Sequence, residues 1–147
     1  MGLLDRFRRP STPQPPMRPV LLDHFYHDGR GPTLMKVHYS GSGKVIVAAD
    51  YFLADEPYTP ENLRHLLFVK PQVFMFTPEE VESYTPEFNP WEGGARFAAV
   101  DLGKSSWLQR FNARHLGNCS HYRCMFYDEF LDVICEDVKA GHGGYAG

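Results

Sequence analysis

Four side chains within ten residues, His115, Cys119, His121 and Cys124, have the types that could do the most chemistry in this chain. Imidazole and thiolate are the ligands of tetrahedral zinc. A thiolate beside an imidazole is also the pair that covalent catalysis by cysteine requires. Their order, H-x3-C-x-H-x2-C, matches none of the common zinc spacings. If a strand begins at His121, alternation sends His121 and Cys124 to opposite faces. For a nucleophile, Cys119 with His115 or His121 is the one local pair, and no pattern supplies a third group to orient the base. The expectation is therefore buried thiols and hydrogen-bonded histidines, with no cofactor and no catalytic residue assigned. A zinc site or a Cys/His enzyme on His115, Cys119 and His121 is the alternative. His24 and His27 meet the same parity problem in a strand.

Other catalytic patterns fall short. Gly103-Lys104-Ser105 ends like a phosphate-binding loop, but the upstream glycine would have to stand where Ala98 does. Gly41-x-Gly43 is followed by Val45-Ile46 rather than by a glycine and a helix, so the dinucleotide fingerprint is absent. Asp128-Glu129 puts two carboxylates together, but as neighbours in a turn, with no third group opposite them.

Binding leaves more signal than catalysis. Between Glu79 and Trp91, carboxylates (Glu79, Glu80, Glu82, Glu87) interleave with Tyr84, Phe88 and Trp91. Aromatics anchor protein interfaces, and the glutamates would steer a basic partner. Glu79, Glu82, Tyr84, Phe88 and Trp91 are the candidate protein-binding residues. Residues 1–19 hold four arginines against one aspartate, a net of +3, while the rest holds 11 basic and 17 acidic residues, a net of −6. A body of that sign repels a phosphate backbone, so nucleic-acid binding by the folded part is not expected. Residues 1–9, with Leu3, Leu4 and Phe7 among arginines, carry a short basic amphipathic pattern, so contact with a membrane surface or an assembly through this tail is a third reading.

The elements that must position these groups follow from periodicity. Residues 115–138 read as a turn followed by an antiparallel hairpin, with apolar residues on both parities, as in a central strand pair. The best charge and size match sets Tyr127 against Asp132, Met125 against Ile134, Cys124 against Cys135, and Arg123 against Glu136. Further strands are expected over 20–26, 34–39, 44–51, 72–76 and 96–102. Ser40-Gly41-Ser42-Gly43 would turn the second of these into the third. Thr59-Pro60 reads as a helix start, with Leu63, Leu66 and Leu67 as its stripe. Thr77 with Glu80 and Ser106 with Gln109 read as capping boxes of two more short helices. The class is α+β, a mainly antiparallel sheet of about six strands with two or three short helices.

Five prolines in residues 10–19 make a basic, Pro-rich tail of 1–19. Residues 20–138 form the single globular domain, and 139–147 a Gly-rich flexible tail. No apolar run approaches the roughly 20 residues of a membrane helix. Residues 1–9 lack a signal-peptide core, and three cysteines do not suggest a disulfide framework. Together these features predict a small cytoplasmic, non-enzymatic domain that binds another protein, as an adaptor or immunity-type protein does.

Overall fold

The computed structural model describes residues 18–20, 22, 25, 31–41, 43–78, 80, 98–111 and 113–146. Nine strands run through them: β1 (Arg18–Pro19), β2 (Thr33–Ser40), β3 (Ile46–Phe52), β4 (Arg64–Val69), β5 (Val73–Pro78), β6 (Ala99–Asp101), β7 (Ser120–Met125), β8 (Glu129–Cys135) and β9 (Asp137–His142). The one α-helix among the described residues, α1, spans Ser106–Gln109. The strands form two antiparallel sheets, ordered β1-β6-β7-β8-β5 and β2-β3-β4-β9. The coarse α+β reading fits, but the described residues hold nine strands rather than about six, and one α-helix.

The sheets pack face to face. Val47, Ala49 and Tyr51 of β3, Leu66 and Phe68 of β4, and Val138 of β9 meet Tyr122, Cys124, Leu131, Val133 and Cys135 of β7 and β8 in one buried cluster. Phe25 and Phe126 complete it edge-on, with ring centroids 5.6 Å apart. Alternation then sends the other parity of β7 and β8 outward, where Ile134 packs beneath Leu108 of α1, Leu116 and Cys119.

One ribbon joins the two sheets. β4 pairs with β9 in one sheet, and β5 pairs with β8 in the other. The ribbon bends between the pairs Val69–Asp137 and Val73–Ile134, where residues 70–72 oppose only residues 135–136. That extra residue is a bulge, the usual device by which a strand turns a corner between packed sheets. Lys70 occupies it with φ of 50°, the one non-glycine residue at positive φ among those described. Glu136 N–H donates to Val69 O (2.9 Å) and Gln72 N–H to Ile134 O (2.8 Å), closing the corner.

Several expectations are corrected. Residues 60–62 form a single 3-10 turn without a Thr59 side-chain cap, and residues 64–69 are strand. Leu63, Leu66 and Leu67 imitate a helical stripe, but Leu66 and Phe68 enter the core and Leu67 faces the other way. Thr77 and Pro78 are the last two residues of β5, and the helix expected beyond them falls outside the described residues except at Glu80. Ser105, not Ser106, caps α1, its Oγ accepting from Leu108 N–H at 3.2 Å. The expected β2–β3 hairpin is present.

The β7–β8 hairpin is also present, but its register differs by four residues. Met125 faces Phe130, Cys124 faces Leu131, and Arg123 faces Asp132. Phe126 N–H closes the turn on Glu129 O (2.8 Å). Even slippage preserves the faces, so each side chain still points to its expected side. The buried Arg123–Asp132 pair takes the place of the expected Arg123–Glu136 pair. The C-terminal boundary moves too, because β9 continues past Val138 to His142 and pairs with β4 along its length. At the other end, Arg18–Pro19 already pairs with β6, before Val20. No helix among the described residues is long and apolar enough to cross a membrane.

Candidate functional site

The structure scatters the four sulfur and imidazole candidates. His115 is exposed in a 3-10 turn over Ala113–Leu116. Cys119 is buried beneath that turn, beside Leu108 and Ile134. His121 is on the outer face of β7, and Cys124 in the core between the sheets. Among the described residues, no group of three or more His, Cys, Asp or Glu is placed to hold a metal ion. Burial raises all three thiols above their ordinary value, Cys124 most plainly, so each resists forming the thiolate.

His121 instead belongs to a buried relay. Its Nε2 lies 2.6 Å from Asp132 Oδ1, and its Nδ1 2.8 Å from Ser105 Oγ. Arg123 Nε donates to Asp132 Oδ1 (2.7 Å) and its Nη2 to Oδ2 (3.1 Å). Burial alone would raise the Asp132 carboxyl, but the hydrogen bonds from His121 and Arg123 outweigh it and hold it below the usual range. Serine, imidazole and carboxylate in a row suggest an activated nucleophile. The surroundings argue for structure. Ser105 is 3% exposed, and its Oγ already caps α1. Trp107 stacks edge-on against the His121 ring at 4.8 Å. Both imidazole nitrogens are engaged, so neither serves Cys119 or a metal. Lys104, which would be the phosphate-binding lysine of a GKS loop, donates instead to the carbonyls of Leu116, Gly117 and Cys119, fastening that loop over the sheet.

The accessible chemistry lies elsewhere, where the end strands β2 and β5 touch through one pair of side chains. Each ends its sheet. Tyr39 of β2 touches Phe74 of β5, with ring centroids 5.5 Å apart. Tyr39 is 62% exposed and Phe76 49%, with Val45, Phe74 and Met75 close behind. Tyr39 and Phe74 flank a groove of about 570 Å³ lined by Val45, Val47, Pro71 and Val73, with Lys44 and Lys70 beside them. The bulge at Lys70 carries that side chain to the groove. Glu136 is 3.4 Å from its ammonium, and Lys70 remains largely exposed.

Sequence reasoning missed this place because its parts are 35 residues apart, from Tyr39 to Phe74, and only the sheet order joins them. The signal present was Phe74-Met75-Phe76, three large apolar residues on both parities of a short strand. The relay had a signal too: Arg123 and Asp132 are opposite charges inside otherwise apolar strands. Glu79, Glu82, Tyr84, Phe88 and Trp91, like His24, His27 and residues 1–9, lie outside the described residues. Asp128 is exposed at the β7–β8 turn, with Glu129 beside it half-buried. No family model, no curated protein and no solved structure matches this chain.

Proposed function

We propose that this chain is a small cytoplasmic, non-enzymatic domain that binds an extended segment of another protein along the β2–β5 edge. One observation carries the reading: β2 and β5, each the last strand of its sheet among the described residues, touch through Tyr39 and Phe74, and both of those rings are exposed. A free edge presents a row of backbone donors and acceptors that natural proteins usually blunt. An added strand satisfies those groups, and alternate side chains enter the neighbouring groove. Lys44 and Lys70 beside the groove favour a segment with acidic residues flanking its apolar ones. That sign is opposite to the basic partner expected for the Glu79–Trp91 stretch. An adaptor or immunity-type protein would use such a surface.

Selection from a displayed random-peptide library tests the reading. Enriched peptides should alternate apolar residues with Asp or Glu, and should shift the amide resonances of residues 73–78. Phe74→Lys and Lys44→Glu should each abolish their binding. Failure to enrich any sequence, or binders indifferent to both substitutions, would refute the proposal.

A further inference from the structure

Behind the groove, on the outer face of the four-stranded sheet, is a second pocket of about 280 Å³. It shares Lys44, Val45 and Lys70 with the groove. Ile46, Leu67 and Val69 make its floor, and Tyr145 closes one end. Lys139 stands beside Leu67, its direct partner across β4 and β9. Three of the chain's five lysines thus converge on one pocket with no acidic lining residue, in a body whose net charge is negative.

Among the described residues Lys44 and Lys139 form no ion pair, and Lys70 shares Glu136 at 3.4 Å. Asp137, on β9, accepts the Val138 amide at 2.8 Å. Gathering cations over an apolar floor is unfavourable for the empty protein and favourable for an anion that also buries hydrocarbon. The C-terminal segment fixes the end of the pocket. Tyr145 N–H donates to Asp50 Oδ1 (2.8 Å), and its ring rests between those of His38 and His65, with centroids 5.7 and 5.8 Å away.

We propose that this pocket binds a small amphipathic anion: a carboxylate or phosphate headgroup on an apolar body no larger than a medium acyl chain or one aromatic ring. The headgroup lies among Lys44, Lys70 and Lys139, and the apolar body over Ile46, Leu67 and Val69 against the Tyr145 ring.

Calorimetric titration of the full chain at low salt with octanoate and with phenyl phosphate tests this, with octanol and inorganic phosphate as controls lacking one feature each. Saturable 1:1 binding is expected for one or both anions. Octanoate alone identifies an acyl carboxylate, phenyl phosphate alone an aryl phosphate, and both a general headgroup site. The controls should bind about tenfold more weakly or not at all. Lys139→Gln and Lys70→Gly should each weaken binding by about threefold to fivefold, as loss of one partly exposed charge does. Lys70→Gly suits the corner, since glycine accepts a φ of 50°. Resonances of Leu67 and Lys139 should shift while those of Phe74 stay fixed, which separates this site from the edge groove. No saturable binding of either anion, equal affinity for octanol, or affinity unchanged in both variants would overturn the proposal.

Discussion

At the scale of single residues, the relay has a definite cost of disruption. Asp132 is fully buried and accepts from both His121 and Arg123. Replacing it with alanine leaves a guanidinium buried without its counter-ion, which should cost about 3–5 kcal/mol of stability in urea denaturation. Ser105→Ala removes the cap of α1 and should cost about 1 kcal/mol. The two losses also separate structure from catalysis. If Ser105 were an activated nucleophile, a fluorophosphonate would label it in the native protein, and a buried capping serine should stay unlabelled. The cysteines offer a parallel test. With every thiol buried and raised above its ordinary value, native protein should not react with Ellman's reagent over the time in which urea-unfolded protein releases three equivalents. Rapid native labelling of Cys119 would restore it as a candidate nucleophile.

Individual strands show why part of the fold was legible and part was not. The β2–β3 and β7–β8 hairpins were, because local alternation reports a strand wherever a turn brings its partner back within a few residues. The register of β7–β8 was not, because the Arg123–Asp132 match competes with an equally plausible Arg123–Glu136 match. Only burial of Asp132, which depends on α1 and its Ser105 cap, decides between them. β4 was misread because Leu63, Leu66 and Leu67 satisfy a helical spacing, while what selects the strand is β9, more than 60 residues later. β9 itself was hidden by Gly141 and the glycines that follow the strand, which suggest a loose tail. Gly141 is needed for closeness rather than looseness: an added Cβ would come within 2.5 Å of the His65 ring, whose Nδ1–H donates to Gly143 O. Gly141→Ala should therefore push His65 aside and destabilise the protein by about 1–3 kcal/mol, the range for overpacking. A thermal midpoint equal to that of the natural sequence would mean that the tail does not hold this sheet. The candidate site was the least legible feature, because a groove between two sheets is a property of strand order, and no local pattern encodes strand order.

For the whole molecule, these ionisable groups confine stability from both sides of neutral pH. Asp132 is held below the usual carboxyl range when folded. Its contribution is full above the unfolded value of about 4 and is lost as pH falls through the lower folded value. The alkaline limb has the opposite origin. Burial raises the Cys124 and Cys135 thiols, and pushes the Tyr122 phenol up to about 12. The folded state keeps these protons while the unfolded chain releases them above about 8.5 for thiols and about 10 for tyrosine. The unfolded state therefore binds fewer protons there, and stability must fall as pH rises. Each of the two deeply buried thiols adds a slope of about 1.4 kcal/mol per pH unit until its folded value is reached. Urea midpoints measured from pH 3 to pH 11 should form a plateau from about pH 5 to 8 with losses on either side. Cys124→Ala creates a small void and lowers the plateau, but it should also make the alkaline limb shallower, an effect that lost packing alone does not produce. An alkaline limb of unchanged slope would show that Cys124 is not the buried, proton-retaining thiol that joins the two sheets.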